Sequence, residues 1–155
     1  MKQKKESKKG IIIINPSHKN DLDNNPQLLR VTLTNKETKL DFGYQTESYY
    51  KKGGWVRMDP KTFIRPIGSN KKYTLINATN IPLEPEQLNF KSQEDSLYFS
   101  LIFPALPEGV DAIDMIETPD GEKPKTGFVS PNSVQHDYNF FHIKLNEKGK
   151  IYKIK

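Results

Sequence analysis

Three histidines, His18, His136 and His142, are the first residues to weigh for chemistry. Imidazole is the commonest metal ligand and general base, but a zinc or catalytic role needs two or three groups converging, with an acid to orient them. His136 and His142 stand six apart across the start of an expected strand, which is not a ligand spacing, and His142 is expected on the more exposed face. Asp21-Leu22-Asp23-Asn24-Asn25 imitates the start of an EF-hand loop. The glycine required sixth is Pro26 and the glutamate required twelfth is Thr32, so this reads as a plain polar loop. Asp111, Asp114 and Glu117 suggest a glycosidase pair only if two carboxylates face each other about 5–10 Å apart across a cleft. The expectation is that all three are surface groups in water. The chain has no cysteine, which removes disulfides, thiolate catalysis and Cys-based zinc. It has neither a G-x-S-x-G elbow nor a glycine-rich phosphate loop. The sequence therefore predicts no enzyme, no metal site and no cofactor.

The residues that remain are aromatic. Tyr44, Tyr49, Tyr50 and Trp55 are the candidate ligand platform, because aromatic faces stack on sugars or peptides while their polar tips hydrogen-bond. Tyr49-Tyr50 sits in a Ser-Lys-Gly-rich turn, which should expose at least one ring. The competing reading places Tyr44 and Trp55 in the core, where large aromatics usually go.

Charge adds little. The first nine residues carry five lysines and one glutamate, a sum of +4, which leaves +1 of the total +5 for everything after Lys9. The body of the chain is close to neutral and carries no arginine-rich stripe, so no nucleic-acid partner is expected. Residues 1–10 read as a flexible lysine-rich leader, the one means of touching a membrane; no apolar run is long enough to cross one. Ile11–Ile14 is too short for a signal segment, which normally needs about 7–15 apolar residues. An exported protein would then have lost its signal.

The elements that must position these residues are strands. Prolines and glycines are spread throughout, and no helical stripe survives between them. Short segments alternate with period two instead. Ile11–Ile14 reads as a first strand. Arg30–Thr34 and Thr38–Tyr44 form a hairpin about Asn35-Lys36-Glu37, with Val31, Leu33, Leu40, Phe42 and Tyr44 inward. Trp55–Met58, Thr62–Ile64 and Lys72–Ile76 follow; residues 80–87, with Pro82 and Pro85, read as a loop. Leu97, Phe99, Leu101 and Phe103 face inward, with Tyr98, Ser100 and Ile102 outward. Val110–Ile116 alternates weakly and a polar stretch runs on to Gln135. Asp137–Leu145 puts Phe141, Ile143 and Leu145 on one face and Phe140, His142 and Lys144 on the other; Ile151–Ile154 is a short last strand.

Four stretches carry a family resemblance: Gly54-Trp55-Val56-Arg57-Met58-Asp59-Pro60-Lys61-Thr62-Phe63-Ile64, then Lys71 through Leu83, Phe99 through Glu117, and Asn139 through Leu145. Over residues 30–145 the chain resembles an uncharacterised immunoglobulin-like β-sandwich module of exported proteins of Gram-negative gut bacteria, which in some precedes a thioredoxin-like thiol–disulfide oxidoreductase domain. The resemblance implies a fold and an exported location, and no catalytic residues. Two departures stand out. No Cys-x-x-Cys follows, so redox chemistry does not carry over, and a long insert, Thr118–His136, replaces the compact link to the closing strand.

Together these readings predict an all-β, antiparallel, immunoglobulin-like β-sandwich of about 7–9 strands over residues 11–155, with a closed barrel sharing the same alternation. The expected function is a non-catalytic binding or accessory module for a protein or glycan partner. It is expected to be a monomer in the periplasm or at the cell surface, with a lipoprotein anchor as one form of attachment. The alternative is a structural or self-assembling subunit that pairs through an edge strand such as Ile11–Ile14.

Overall fold

The computed structural model describes residues 10–19, 26–45, 55–86, 88–89, 96–117, 127–129, 135–136 and 139–154. Its strands are β1 (Ile11–Ile14), β2 (Gln27–Leu33), β3 (Glu37–Gln45), β4 (Trp55–Arg57) and β5 (Phe63–Pro66). Next come β6 (Tyr73–Thr74), β7 (Asn77–Thr79), β8 (Leu88–Asn89), β9 (Ser96–Pro104) and β10 (Ala112–Ile116). The last are β11 (Gly127–Val129), β12 (Gln135–His136), β13 (Phe140–Lys144) and β14 (Ile151–Lys153). No helix occurs among the described residues.

Two antiparallel sheets form the sandwich. One has the order β14-β1-β2-β3-β9-β7 and the other β13-β10-β5-β6. A small third sheet, β12-β11-β4-β8, is built around the short strand that begins at Trp55. Each sheet has open edges, which separates a sandwich from a closed barrel. Fourteen strands occur among the described residues where about seven to nine were expected, chiefly because β7, β8, β11 and β12, of two or three residues each, are added. Lys72–Ile76 is not the single strand expected. Instead the Leu75 amide donates to the Thr62 carbonyl and the Ile76 amide to the Ile102 carbonyl, so consecutive residues serve opposite sheets. A strand that crosses between layers this way makes a corner of the sandwich.

The long strands β3 and β9 obey period two without interruption and pair over their whole length, from Glu37 opposite Pro104 to Gln45 opposite Ser96. Leu40, Phe42, Tyr44, Phe99, Leu101 and Phe103 are accordingly buried. The turn before β3 is tighter than predicted. The Thr34 hydroxyl oxygen accepts from the amides of Lys36 and Glu37, closing a loop of Asn35-Lys36. Between the sheets, Phe42 stacks on Phe99 with centroids 5.0 Å apart and meets Phe140 of the opposite sheet at 5.3 Å. Burying one such side chain contributes about 1.5–3 kcal/mol.

β13 breaks its predicted alternation. Phe140, Ile143 and Leu145 are buried, Phe141 is half-buried and His142 exposed, so Phe140 and not Phe141 enters the core. The cause is a β-bulge: Ile113 faces Ile143 and Met115 faces Phe140, which leaves Phe141 and His142 together opposite Asp114. His142 takes a left-handed backbone (φ 54) and donates its amide to Asp114 Oδ1 at 3.0 Å. β2 carries a matching bulge at Leu29, which lets Leu28 and Val31 both point inward.

The edges also differ from expectation. Ile11–Ile14 is not an edge: β1 lies between β14 and β2, with Ile13 opposite both Ile151 and Val31. Beyond it the chain crosses to the other sheet, where Lys19 and Phe141 exchange backbone hydrogen bonds of 2.7 Å. This junction is locked to the C-terminal hairpin by Glu147. Its two carboxylate oxygens accept from the Ser17 amide (2.8 Å) and hydroxyl (2.7 Å), and Lys150 Nζ donates to the Asn15 carbonyl. The insert holds two strands that the sequence reading missed, β11 and β12; at three and two residues they are too short to show a period.

Two tests follow from these contacts. Asp114→Ala strands the His142 amide and should cost about 1–3 kcal/mol in a urea titration, whereas His142→Gly relieves a left-handed side chain and should be neutral or stabilising. Equal losses from both would show that the bulge is not held by that carboxylate. The Ser17 hydrogen bonds and Lys150 hold the Glu147 carboxyl down at about 2, from an ordinary 4.5. A carboxyl lowered on folding stabilises the fold above its unfolded pKa, and that contribution disappears as pH falls from 4.5 toward 2. Amide exchange at Ser17 should therefore accelerate across that window in the native protein and not in Glu147→Gln, and matching acid profiles would contradict this.

Candidate functional site

The outward face of the six-stranded sheet carries a cross-strand row fixed by register. Ile14 pairs with Arg30, Arg30 with Asp41, Asp41 with Ser100, and Ser100 with Thr79. Position 41 lies outward because Leu40 and Phe42 are committed to the core, yet Asp41 is only 8% exposed. Its neighbours cover it. Arg30 Nε donates to Asp41 Oδ2 at 2.6 Å, the Ser100 hydroxyl donates to Oδ1, and Lys39 Nζ lies 3.9 Å away. The carboxylate is thus engaged on both oxygens, while half of the Arg30 side chain stays in solvent.

One row along, Tyr98 is outward and 68% exposed, the most exposed large hydrophobic side chain among the described residues. It faces Gly43 across the β3–β9 ladder. A Cβ added to Gly43 would meet the Tyr98 ring at 3.1 and 3.4 Å and Leu29 at 3.5 Å. Glycine here lets the ring lie down on the strand, where it shields the backbone and presents its other side outward. Asn80 Nδ2 donates to the Tyr98 carbonyl at 3.2 Å, joining the loop after β7 to this edge of the site. These residues line a shallow groove of about 540 Å³, with Ile14 and Leu29 at its rim.

The residues singled out from sequence take other places. Tyr44 is 2% exposed and belongs to the core, the second of the two roles the sequence allowed, so its ring is no stacking surface. The backbone of Trp55 pairs with Asn89 in the small sheet; Tyr49 and Tyr50 lie outside the described residues. His18 packs its ring 5.3 Å from Phe140 and its Nδ1 lies 2.9 Å from the Pro16 carbonyl, and His136 pairs with Phe128 in the small sheet. No group of three or more acidic or histidine side chains suited to a metal occurs among the described residues. Of the three carboxylates expected in water, Asp111 is exposed, but Asp114 and Glu117 are buried. Asp114 sits directly opposite Arg65, whose Nε is 3.4 Å away, and Glu117 accepts the Asp59 amide at 3.0 Å. Asp114 thus holds backbone and an arginine in place, and Glu117 holds backbone.

A second, smaller cavity of about 190 Å³ lies at one end of the sandwich between Leu33, Leu106, Val110 and Leu145. It is mainly apolar, and no set of polar groups converges in it.

If Asp41 organises the outer row, Asp41→Ala should cost about 1–3 kcal/mol in chemical denaturation, because it leaves the Ser100 hydroxyl and the arginine without their acceptor. Arg30→Met removes a half-exposed partner and should cost less, about 0–1 kcal/mol. The reverse order would mean that the carboxylate does not organise this face.

No protein-family model, curated protein or solved structure matches the chain.

Proposed function

We propose that this chain is a non-catalytic binding module whose ligand face is the outer surface of the six-stranded sheet. The observation that carries this reading is Tyr98, a large ring left exposed on a sheet whose other side already supplies the core. An exposed aromatic resting on glycine, beside an arginine fixed in direction by a covered carboxylate, is preorganised for contact: little side-chain freedom is lost on binding. Exposed aromatic and arginine side chains are also the types that carry most binding energy at interfaces.

The resemblance carried by residues 54–64 and 99–117 supports an exported setting, in the periplasm or at the cell surface. The alternative, self-assembly by edge pairing, would need an edge other than β1, which is flanked on both sides; on the six-stranded sheet the edges are β14 and β7. β14 exposes Ile151 and Tyr152 but is three residues long and ends in Lys153. Short strands and edge lysines are how sheets discourage such pairing, and this favours a monomer.

The test is a glycan and peptide array probed with the native chain, with Tyr98→Ala and with the double variant Tyr49→Ala/Tyr50→Ala. Binding that is lost with Tyr98→Ala and kept in the double variant is the expected outcome. Binding that survives Tyr98→Ala unchanged would place the ligand elsewhere.

A further inference from the structure

The chemistry of the groove narrows what it can hold. Asp41 is its one carboxylate, and both oxygens are already occupied by Arg30 and Ser100. The charged groups that face outward are therefore the donors of Arg30 and Lys39. Arg30 spends its Nε on Asp41, and no hydrogen bond among the described residues engages its two Nη amino groups; the Lys39 ammonium lies beside it, also partly exposed. Two cations against one covered carboxylate leave an excess of one positive charge, although residues beyond Lys9 are nearly neutral as a whole. A guanidinium held along its Nε edge presents its remaining donors as a fork, which matches a carboxylate and not a hydroxyl.

The second element is the ring. Tyr98 lies on Gly43, two residues along β9 from Ser100 and so one row from the Asp41 position. Arg30 starts two strands over and one row along, roughly 12 Å away at the usual strand spacing and rise. Its bond to Asp41 on the intervening β3 shows that the side chain leans toward β9, shortening that gap. An aromatic face carries negative charge density and so attracts the weakly positive C–H groups of a saturated ring. The backbone of this face is paired in the ladder from β1 to β7, so it offers a peptide none of the main-chain hydrogen bonds that an open edge would supply.

We propose that this groove binds an acidic saccharide, a hexuronate whose pyranose ring stacks on Tyr98 while its carboxylate is taken by the Nη groups of Arg30, with Lys39 adding charge. This deepens the reading of the outer sheet as the binding face and rests on it. The ring carboxylate of a hexuronate sits a fixed, short distance from the stacked face, the arrangement that the groove presents in reverse.

The experiment uses the full chain, isotope-labelled for NMR, titrated with a galacturonate trisaccharide, with its neutral methyl ester and with a short acidic peptide. The expected result is binding of the free acid with shifts at Arg30, Lys39, Gly43, Tyr98 and Ser100, weakening as salt is raised. The methyl ester should bind about tenfold or more weakly, and so should Tyr98→Ala and Arg30→Met towards the acid. Arg30→Lys keeps the charge but loses the fork and should also weaken binding; it serves if Arg30→Met does not fold. Equal binding of acid and ester, or selection of the peptide with shifts at the same residues, would overturn the ligand class and leave the face standing. Shifts confined to another part of the chain, or no binding by any of the three probes, would overturn the proposal together with its face.

Discussion

The two sheets meet through Phe42 and Phe140. One ring comes from the middle of β3, the other from the first residue of β13, and Phe99 stacks behind the first. Everything outward of this contact takes its orientation from it. With Phe42 inward, residues 41 and 43 must face solvent; the register of β3 with β9 then sets Ser100 beside Asp41 and Tyr98 over Gly43. The candidate site is thus the reverse side of the core, written in the same two strands by the period-two alternation of an extended chain.

Both sheets solve a related problem in the same way. Each contains a strand whose apolar residues are three apart, Leu28 and Val31 in β2 and Phe140 and Ile143 in β13, a spacing that a regular strand would send to opposite faces. A bulge absorbs the extra residue in each. Beside each bulge stands a cross-strand Asp–Arg pair, Asp41 with Arg30 and Asp114 with Arg65. Asp114 binds the bulged backbone as well as Arg65, whereas the bonds to Asp41 come from side chains; both arginines stay partly in solvent.

How much could be read from sequence follows from where the alternation stays in phase. β3 and β9 run nine residues each without a bulge, so their inward sets were legible residue by residue. Phe140 and Phe141 were not, because the phase change depends on Asp114, which binds the His142 amide from 28 positions away along the chain. Ile11–Ile14 announced a strand by its β-branched residues but not its neighbours, since β14 arrives from the far end of the sequence. Asp114 and Glu117 read as surface groups because a buried acid is signalled only by its partner, and partners are set by register. Within the site, Tyr98 is not among the four aromatic residues, Tyr44, Tyr49, Tyr50 and Trp55, that read as a platform. The signal was nonetheless there: Tyr98 lies between the inward residues Leu97 and Phe99, and an aromatic on the outward phase of a strand has no core to enter.

The contact between Phe42 and Phe140 is the point on which both core and outer face depend, and a double-mutant cycle reads it most directly. Phe42→Leu, Phe140→Leu and the pair would be compared by urea denaturation. Facing rings in contact should show a coupling of about 0.5–1.5 kcal/mol. Additive losses, within about 0.3 kcal/mol, would contradict a sandwich closed at these two side chains.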